Sequence, residues 1–418
     1  MKYFLPFLIT ISFILAGCSA SSRFTKKEEP SPKETPKPSP PQNLHKKEIR
    51  AALTLNLQEN LSFNFPVVLS AGGKDILTLG AGSGITADIS GDKIEISVSG
   101  KRIVAPYFDI SIKNIEDKLV YNDTEYRGYF RLMPYQNNIM LLNILDVEDY
   151  VRGVMVPELG VANRPEDFEA LKAFAICVRT YAFMKMKAKG AFYDVRTDVS
   201  DQVYRGYTSE REFSNRAVEE TKNTVLMYSG DLADMFYYST CGGYTEDAAN
   251  IFSKVIPYMR SVNDGSEPYC AINPSFNWVE TYSGEEITGM LVAANLIESS
   301  NALLKNIEIE NRFPSGRVKT LLITVEENGT DKDIRLIGQQ TRTVIRSKTT
   351  GGILRSLNLE ISSTGMGGPE STIKITGKGN GHGVGLCQWG AIGRSRAGQN
   401  FKQILFHYFP GTRLGKAL

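Results

Sequence analysis

The sequence predicts an α+β protein, with β-rich regions around a helical core and no doubly wound sheet. Three observations carry this expectation. The chain has 418 residues, 42% hydrophobic and 22% charged, the balance of a folded globular protein with room for two or three packed domains. Two stretches, roughly 48–135 and 303–375, hold strand-like runs such as "DKIEISVSG" and "VKTLLITVE", the first of them between glycine turns. Helices and strands do not alternate regularly along the chain, as parallel βαβ units would require.

Residues 1–18 stand apart. Lys2 precedes the apolar run "YFLPFLITISFILAG", which at about 1.5 Å per helical residue is shorter than a hydrocarbon core of about 30 Å. A basic residue followed by a short apolar run is the pattern of a secretory signal. The junction "LAGC", Leu15–Cys18, resembles a bacterial lipobox, in which cleavage exposes Cys18 for lipid attachment. Residues 19–47, including "KKEEPSPKETPKPSPP", are rich in Pro, Lys and Glu and nearly free of apolar residues, so they cannot bury enough surface to fold. As polyproline II at about 3.1 Å per residue they would reach ~80 Å, enough for a tether. The expectation is an exported protein, lipid-anchored in the cell envelope. That means the periplasmic side of the outer membrane in a Gram-negative cell and the outer face of the plasma membrane otherwise. The net charge of +2 gives no basis for nucleic-acid binding, which calls for a basic excess.

Region 48–135 holds no cluster of chemistry-capable residues, and its expected role is scaffolding. Within 136–418, "PELGVANRPEDFEALKAFAICVRTYA" puts Glu158 in a loop ahead of a long helix. Asn163 reads as the N-cap, with Pro165 in the first turn and Glu166 three residues after the cap. Phe168, Leu171, Ala175, Val178 and Ala182 recur at helical spacing, and the helix is expected to end near Gly190. "EFSNRAVEETKNTVL" reads as a shorter helix, "DMFYYSTCGGYTED" as a strand entering a glycine turn, and Leu386–Arg396 as a last helix.

Several of these segments carry candidate chemistry. Glu158 is flanked by Val154, Met155, Val156, Leu159 and Val161, which would raise its pKa by desolvation, while a helix N-terminus beyond it would lower it. Locally it reads either as a catalytic acid or as an ordinary loop charge. "SDQVYRGY" offers the amide of Gln202 and the phenol of Tyr204, groups that suit sugar hydroxyls and equally suit a polar turn. Asp194, Asp198 and Asp201 do not fit a calcium loop and read as solvated surface. "STCGGYTED" brings Ser239 and Tyr244 as polar contacts and Ser239 or Cys241 as a nucleophile, without the G-x-S-x-G elbow. In "GKGNGHGVGLCQWGA" six glycines surround His382, and the segment reads as a packed hairpin or as a ligand cradle faced by His382 and Gln388. Outside the cytoplasm disulfides persist, which makes Cys241 and Cys270 a candidate pair; Cys177 reads as a buried thiol and the state of Cys387 is open. With three histidines and no Cys-x-x-Cys pair, no metal and no cofactor are expected.

Taken together, "YRGYFRL", "DVEDYVRGVMVPELG", "EALKAFAICVRTYA", "DQVYRGY", "YYSTCGGYTED", "PYMRSV", "GNGHGVGLCQWGA" and "ILFHYFPGT" resemble, in this order, the stage II sporulation protein D and amidase-enhancer family of bacterial cell-wall proteins. The resemblance spans roughly residues 48–412. It implies binding of peptidoglycan glycan strands and, in the enzymatic branch, lytic transglycosylase cleavage between N-acetylmuramic acid and N-acetylglucosamine. It transfers the catalytic role to Glu158 and brings Arg179, in "CVRTYA", into the substrate neighbourhood. The other branch implies a binding module that stimulates a cell-wall amidase. Two words depart from the family pattern. "VRTDVSDQVY" lacks the Cys/His zinc cluster that some members carry there, so no such zinc is expected, and "ELGVANRP" lengthens the loop after the acid.

Overall fold

The computed structural model describes residues 47–417 apart from 57, 115, 188, 189, 300 and 369. Residues 1–46, which hold the expected signal segment, Cys18 and nearly all of the expected tether, lie outside the described residues. Among the described residues no helix is long and apolar enough to cross a membrane.

The architecture is α+β, with several separate sheets. A seven-stranded sheet runs in the order Val195–Arg196, Glu48–Asn56, Asn138–Asp146, Tyr129–Tyr135, Phe108–Ile112, Val67–Ala71, Lys74–Leu79. Every pairing is antiparallel except that of Val195–Arg196 with Ala51 and Ala52. The strand Asn138–Asp146 is buried along almost its whole length because both faces are covered. Ile139, Leu141 and Leu145 enter the main core, while Met140, Leu142 and Ile144 pack into a satellite cluster with Met133. The N-terminal strand therefore belongs to the same sheet as strands on the far side of residue 135.

Helix α1 covers Val147–Leu159. Asp146 caps it by accepting from the Glu148 N–H at 2.8 Å. Val147, Tyr150, Val151, Val154 and Met155 form its buried stripe. Glu158 thus sits in the last turn of a helix, not in a loop. Gly153 and Pro157 obscure this in the sequence, since both disfavour helix interiors.

Two corrections follow at the next helix. Asn163 does not cap it. Pro165–Asp167 form a 3-10 turn in which the Asp167 carboxylate accepts from the Arg164 N–H at 3.1 Å, and α2 proper covers Phe168–Met186, ending short of Gly190. Helix α2 is buried on nearly every side, and its small residues Ala170, Ala173, Ala175 and Ala182 allow close approach by neighbours. It packs against α1, α3 (Glu212–Glu220), α7 (Gln388–Arg396) and α8 (Phe401–Tyr408). Cys177 is a buried thiol there.

Arg179 on α2 is fully buried, which runs against the expectation that it stands among substrate contacts. Its Nε and Nη2 bond Glu148 of α1 at 2.9 and 2.7 Å, and its Nη1 and Nη2 bond the Thr224 and Val218 carbonyls at 3.1 Å each. Glu148 also accepts from the Asn223 N–H at 2.9 Å. One ion pair thus ties together α1, α2, the end of α3 and the strand Thr224–Tyr228.

Between a short helix α4 (Ala248–Phe252) and the glycine-rich segment lies a second hydrophobic core, spanning Trp278 to Ile375. It is built from the strands Asn277–Ser283, Leu303–Arg312, Val318–Glu327, Thr330–Ile337, Leu359–Thr364 and Thr372–Lys378, with α5 (Gly284–Ala293) and α6 (Gln339–Val344).

Removing one member of the buried pair leaves the other charge uncompensated, which costs about 3–5 kcal/mol. Arg179→Met is expected to lose stability on that order by urea unfolding. The double change Glu148→Gln with Arg179→Met should recover part of it, and a single-variant loss well under about 1 kcal/mol would contradict the role assigned to the pair.

Candidate active site

Pro157 has no N–H, so the carbonyl of Gly153, one turn earlier in α1, is left without its helical partner. The Arg205 N–H takes that carbonyl at 3.1 Å, and Ser209 Oγ adds a second bond at 3.0 Å. The segment Gln202–Gly206 is thereby held along the end of α1. Gly153 permits the contact, because a Cβ there would come within 2.4 Å of the Tyr204 ring. Tyr204 is buried, stacks on Tyr150 and donates to Asn143 Oδ1 at 2.7 Å. It is a packing residue, and the expectation that it contacts substrate is corrected. Gln202 is also fully buried, accepting from the Tyr150 hydroxyl at 3.1 Å while its amide nitrogen finds no partner among the described residues.

The same docking gives Glu158 its main hydrogen bond. The Val203 N–H donates to Oε1 at 2.7 Å. Among the described residues Oε2 accepts nothing. Burial raises the pKa of this carboxyl above its ordinary value, against the lowering influence of the Val203 N–H and of the Gln388 amide, whose hydrogen bond goes to the Glu158 backbone carbonyl. The helix terminus beside it is the C-terminal end of α1, whose partial negative charge disfavours a carboxylate, the reverse of the effect expected from the sequence.

Glu158 opens into a cleft of about 400 Å³. Ser239, His382 and Gln388 line the same cleft, as do Asp201 and four residues that local sequence did not single out as site residues, Tyr181, Phe236, Tyr237 and Phe252. Two features far apart in sequence assemble it. Tyr237–Tyr238 pairs in parallel with Leu386–Cys387, which sets the turn after Ser239 beside the start of α7. Gln388, the first residue of α7, then donates to the Glu158 carbonyl at 3.0 Å. The glycine-rich segment makes this approach possible: Gly379, Gly381, Gly383 and Gly385 all have positive φ, and a Cβ on Gly385 would fall 2.1 Å from the Phe236 carbonyl.

Both nitrogens of His382 are used inside the protein. Nε2 donates to the Tyr237 carbonyl at 3.1 Å, and Nδ1 accepts from the Val384 N–H at 3.0 Å, the arrangement of a neutral ring. Burial and the nearby Arg342 and Arg317 guanidiniums lower its pKa to about 4. Its ring packs among Phe236, Tyr238 and Phe252 and serves as cleft wall. Asp201 is not solvated surface. It takes the Tyr181 hydroxyl at 2.6 Å, the Arg196 N–H at 2.8 Å and the Lys185 ammonium at 2.6 Å. Asp194 is buried and paired with Arg50 at 2.7 Å. Tyr244 is 46% exposed and pairs with Asn263 away from the cleft.

Cys241 is fully buried and does not line the cleft, so it is not placed as a nucleophile beside His382 there. Its sulfur lies 3.3 Å from that of Cys270, as two thiols, and Cys387 and Asp264 converge on the same point. Nothing in local spacing signals that convergence.

A family model described as Stage II sporulation protein matches residues 135–228, and one described as a domain of unknown function matches 246–385. The first match holds α1, α2 and Glu158, and the second covers the second hydrophobic core. An uncharacterized protein of Brachyspira hyodysenteriae is 31% identical over 312 residues, covering 74% of this chain and 77% of its own. The amidase enhancer of Bacillus subtilis is 30% identical over 281 residues, 59% of this chain and 38% of its own length. Stage II sporulation protein D of the same organism is 28% identical over 289 residues, 65% and 75% of the two chains. The chain belongs to the stage II sporulation protein D family.

Proposed function

We propose that this protein is a lytic transglycosylase that cleaves peptidoglycan glycan strands with Glu158 as its single acid and base. The observation that carries the reading is the contrast between two carboxyls in one cleft. Glu158 is half-buried, has a raised pKa and among the described residues keeps Oε2 without a hydrogen-bond partner, whereas Asp201 is saturated by Tyr181, Arg196 and Lys185. A hydrolytic glycosidase generally needs two working carboxyls, one to protonate the leaving oxygen and one to activate water or attack. A transglycosylase needs one. Protonated Glu158 would give its proton to the glycosidic oxygen as the C1–O bond breaks. The resulting carboxylate would take the proton of the muramyl C6 hydroxyl as that oxygen bonds to C1, closing a 1,6-anhydro ring and restoring the acid. Tyr181, Phe236, Tyr237 and Phe252 offer apolar faces for sugar rings, with Ser239 and Gln388 as polar contacts. Export and attachment to the envelope through Cys18 would bring the protein to this substrate.

A second reading is a binding module that stimulates a cell-wall amidase. It is favoured by the similarity to the Bacillus subtilis amidase enhancer. It predicts no glycan cleavage by the purified protein and faster peptide release when an N-acetylmuramoyl-L-alanine amidase is added.

Muropeptide analysis after digestion of purified peptidoglycan separates the two. The native protein is expected to yield 1,6-anhydromuramyl ends, and Glu158→Gln should reduce them by about 10²-fold or more. Undiminished product from the variant would remove Glu158 from the mechanism.

The raised pKa of Glu158 has two further consequences. Cleavage needs the protonated form, so the rate is expected to be highest on the acid side and to fall as pH rises through that pKa. In the folded state the carboxyl ionises less readily than in the unfolded chain, so above its pKa ionisation costs stability. Glu158→Gln removes that cost, and its thermal midpoint near neutral pH should equal or exceed that of the native protein. A marked fall in the midpoint would mean that the carboxylate serves folding.

A further inference from the structure

Cys241, the Asp264–Cys270 loop and Cys387 are three separate parts of the chain, yet the donor atoms of Cys241, Asp264, Cys270 and Cys387 all lie within 4.8 Å of one another. All four residues are fully buried. We propose that these three thiolates and one carboxylate bind a single divalent zinc-class ion as a structural site.

The donor set is that of a closed tetrahedral site: three soft sulfurs and one oxygen, with no position left for substrate or water. A tetrahedral ion with zinc–sulfur bonds of about 2.3 Å needs sulfurs roughly 3.8 Å apart, so side-chain shifts of about an ångström complete the cage. The surroundings are built for negative sulfur. Backbone N–H groups of Cys241 and Gly390 donate to Cys387 Sγ at 3.1 and 3.2 Å, and that of Gly243 donates to Cys241 Sγ at 3.4 Å. Cys387 is also the N-cap of α7, where a helix terminus favours a thiolate. Asp264 is oriented from outside the cage, as ligating carboxylates are. Its Oδ1 accepts from the Tyr408 hydroxyl at 2.9 Å and lies 3.4 Å from Arg394, and its Oδ2 accepts from the Cys270 N–H at 2.9 Å.

A Cys241–Cys270 disulfide explains less. It would use two of the three sulfurs and leave Cys387, with its two N–H donors, and a buried carboxylate facing an uncharged bond. Binding of the ion displaces the remaining thiol protons to solvent and involves no oxidant.

The site sits immediately behind the cleft. Cys387 precedes Gln388, whose amide holds the Glu158 carbonyl, and Cys241 lies two residues after Ser239, with the Trp389 N–H on the Ser239 carbonyl at 3.0 Å. The ion would clamp the glycine turn to the start of α7 and so fix two walls of the cleft. This assignment does not depend on the reaction proposed for Glu158, because its readout is the metal itself.

The test uses the full chain purified without chelator. Elemental analysis is expected to find about one zinc per chain, and all three cysteines should alkylate once the protein is denatured in chelator. Replacing the ion with cobalt should produce thiolate-to-metal charge transfer and the strong visible bands of a tetrahedral site. Asp264→Asn, which keeps side-chain volume, should weaken zinc binding by at least about tenfold in a chelator competition, and Cys387→Ser should diminish the charge-transfer band. A native protein isolated with a Cys241–Cys270 disulfide, or a reduced native protein that takes up neither zinc nor cobalt, would overturn the proposal. Neither of these results requires a variant to fold.

Discussion

The buried Glu148–Arg179 pair is the constraint on which the rest of this structure depends. Taking a guanidinium and a carboxylate out of water is favourable only when nearly every donor and acceptor is satisfied. Here the Thr224 and Val218 carbonyls and the Asn223 N–H complete the set. The pair crosses from α1 to α2 and reaches the strand after α3, so the three helices share one register. Because Glu148 stands at the start of α1, the far end of that helix, where Glu158 lies, is fixed as well.

From that anchor the site is built by backbone chemistry. Pro157 deprives the Gly153 carbonyl of its helical partner, and the Arg205 N–H replaces it. The neighbouring Val203 N–H is thereby aimed at Glu158. A residue that usually breaks helices here recruits a loop to the helix it interrupts. The consequence for chemistry is a carboxyl partly shielded from water, held by one oxygen and open at the other. Asp201, a few residues along the same loop, is held at both oxygens and has no such freedom.

The opposite wall arises from chain segments about 150 residues apart. A two-residue parallel pairing of Tyr237–Tyr238 with Leu386–Cys387 brings the glycine turn, the histidine loop and α7 together. The intervening chain folds as a second core of its own, which lets so long an excursion return to the same place. Glycines at positive φ supply the close backbone approach, and His382 supplies rigidity by using both ring nitrogens internally.

Some of this was legible in the sequence. The α+β class and the long helix through Leu171 and Val178 follow from periodicity, which is a local property of the chain; the helix ending at Arg396 was expected as the last one, but α8 follows it. Local sequence singled out Glu158, Ser239, His382 and Gln388, the resemblance added a catalytic role only for Glu158, and all four line one cleft. Other features were not legible, because each depends on which distant group fills a vacant hydrogen bond or charge. Gly153 and Pro157 argue against a helix until Tyr204 and Arg205 are seen to use the space and the carbonyl they provide. Arg179 and Tyr204 have the chemistry of substrate contacts, and only packing shows them buried as an ion pair and a ring stack. The convergence of Cys241, Asp264, Cys270 and Cys387 has no spacing signature at all. Periodicity determines which elements form, whereas burial and pairing between remote segments decide which polar side chains remain free to act.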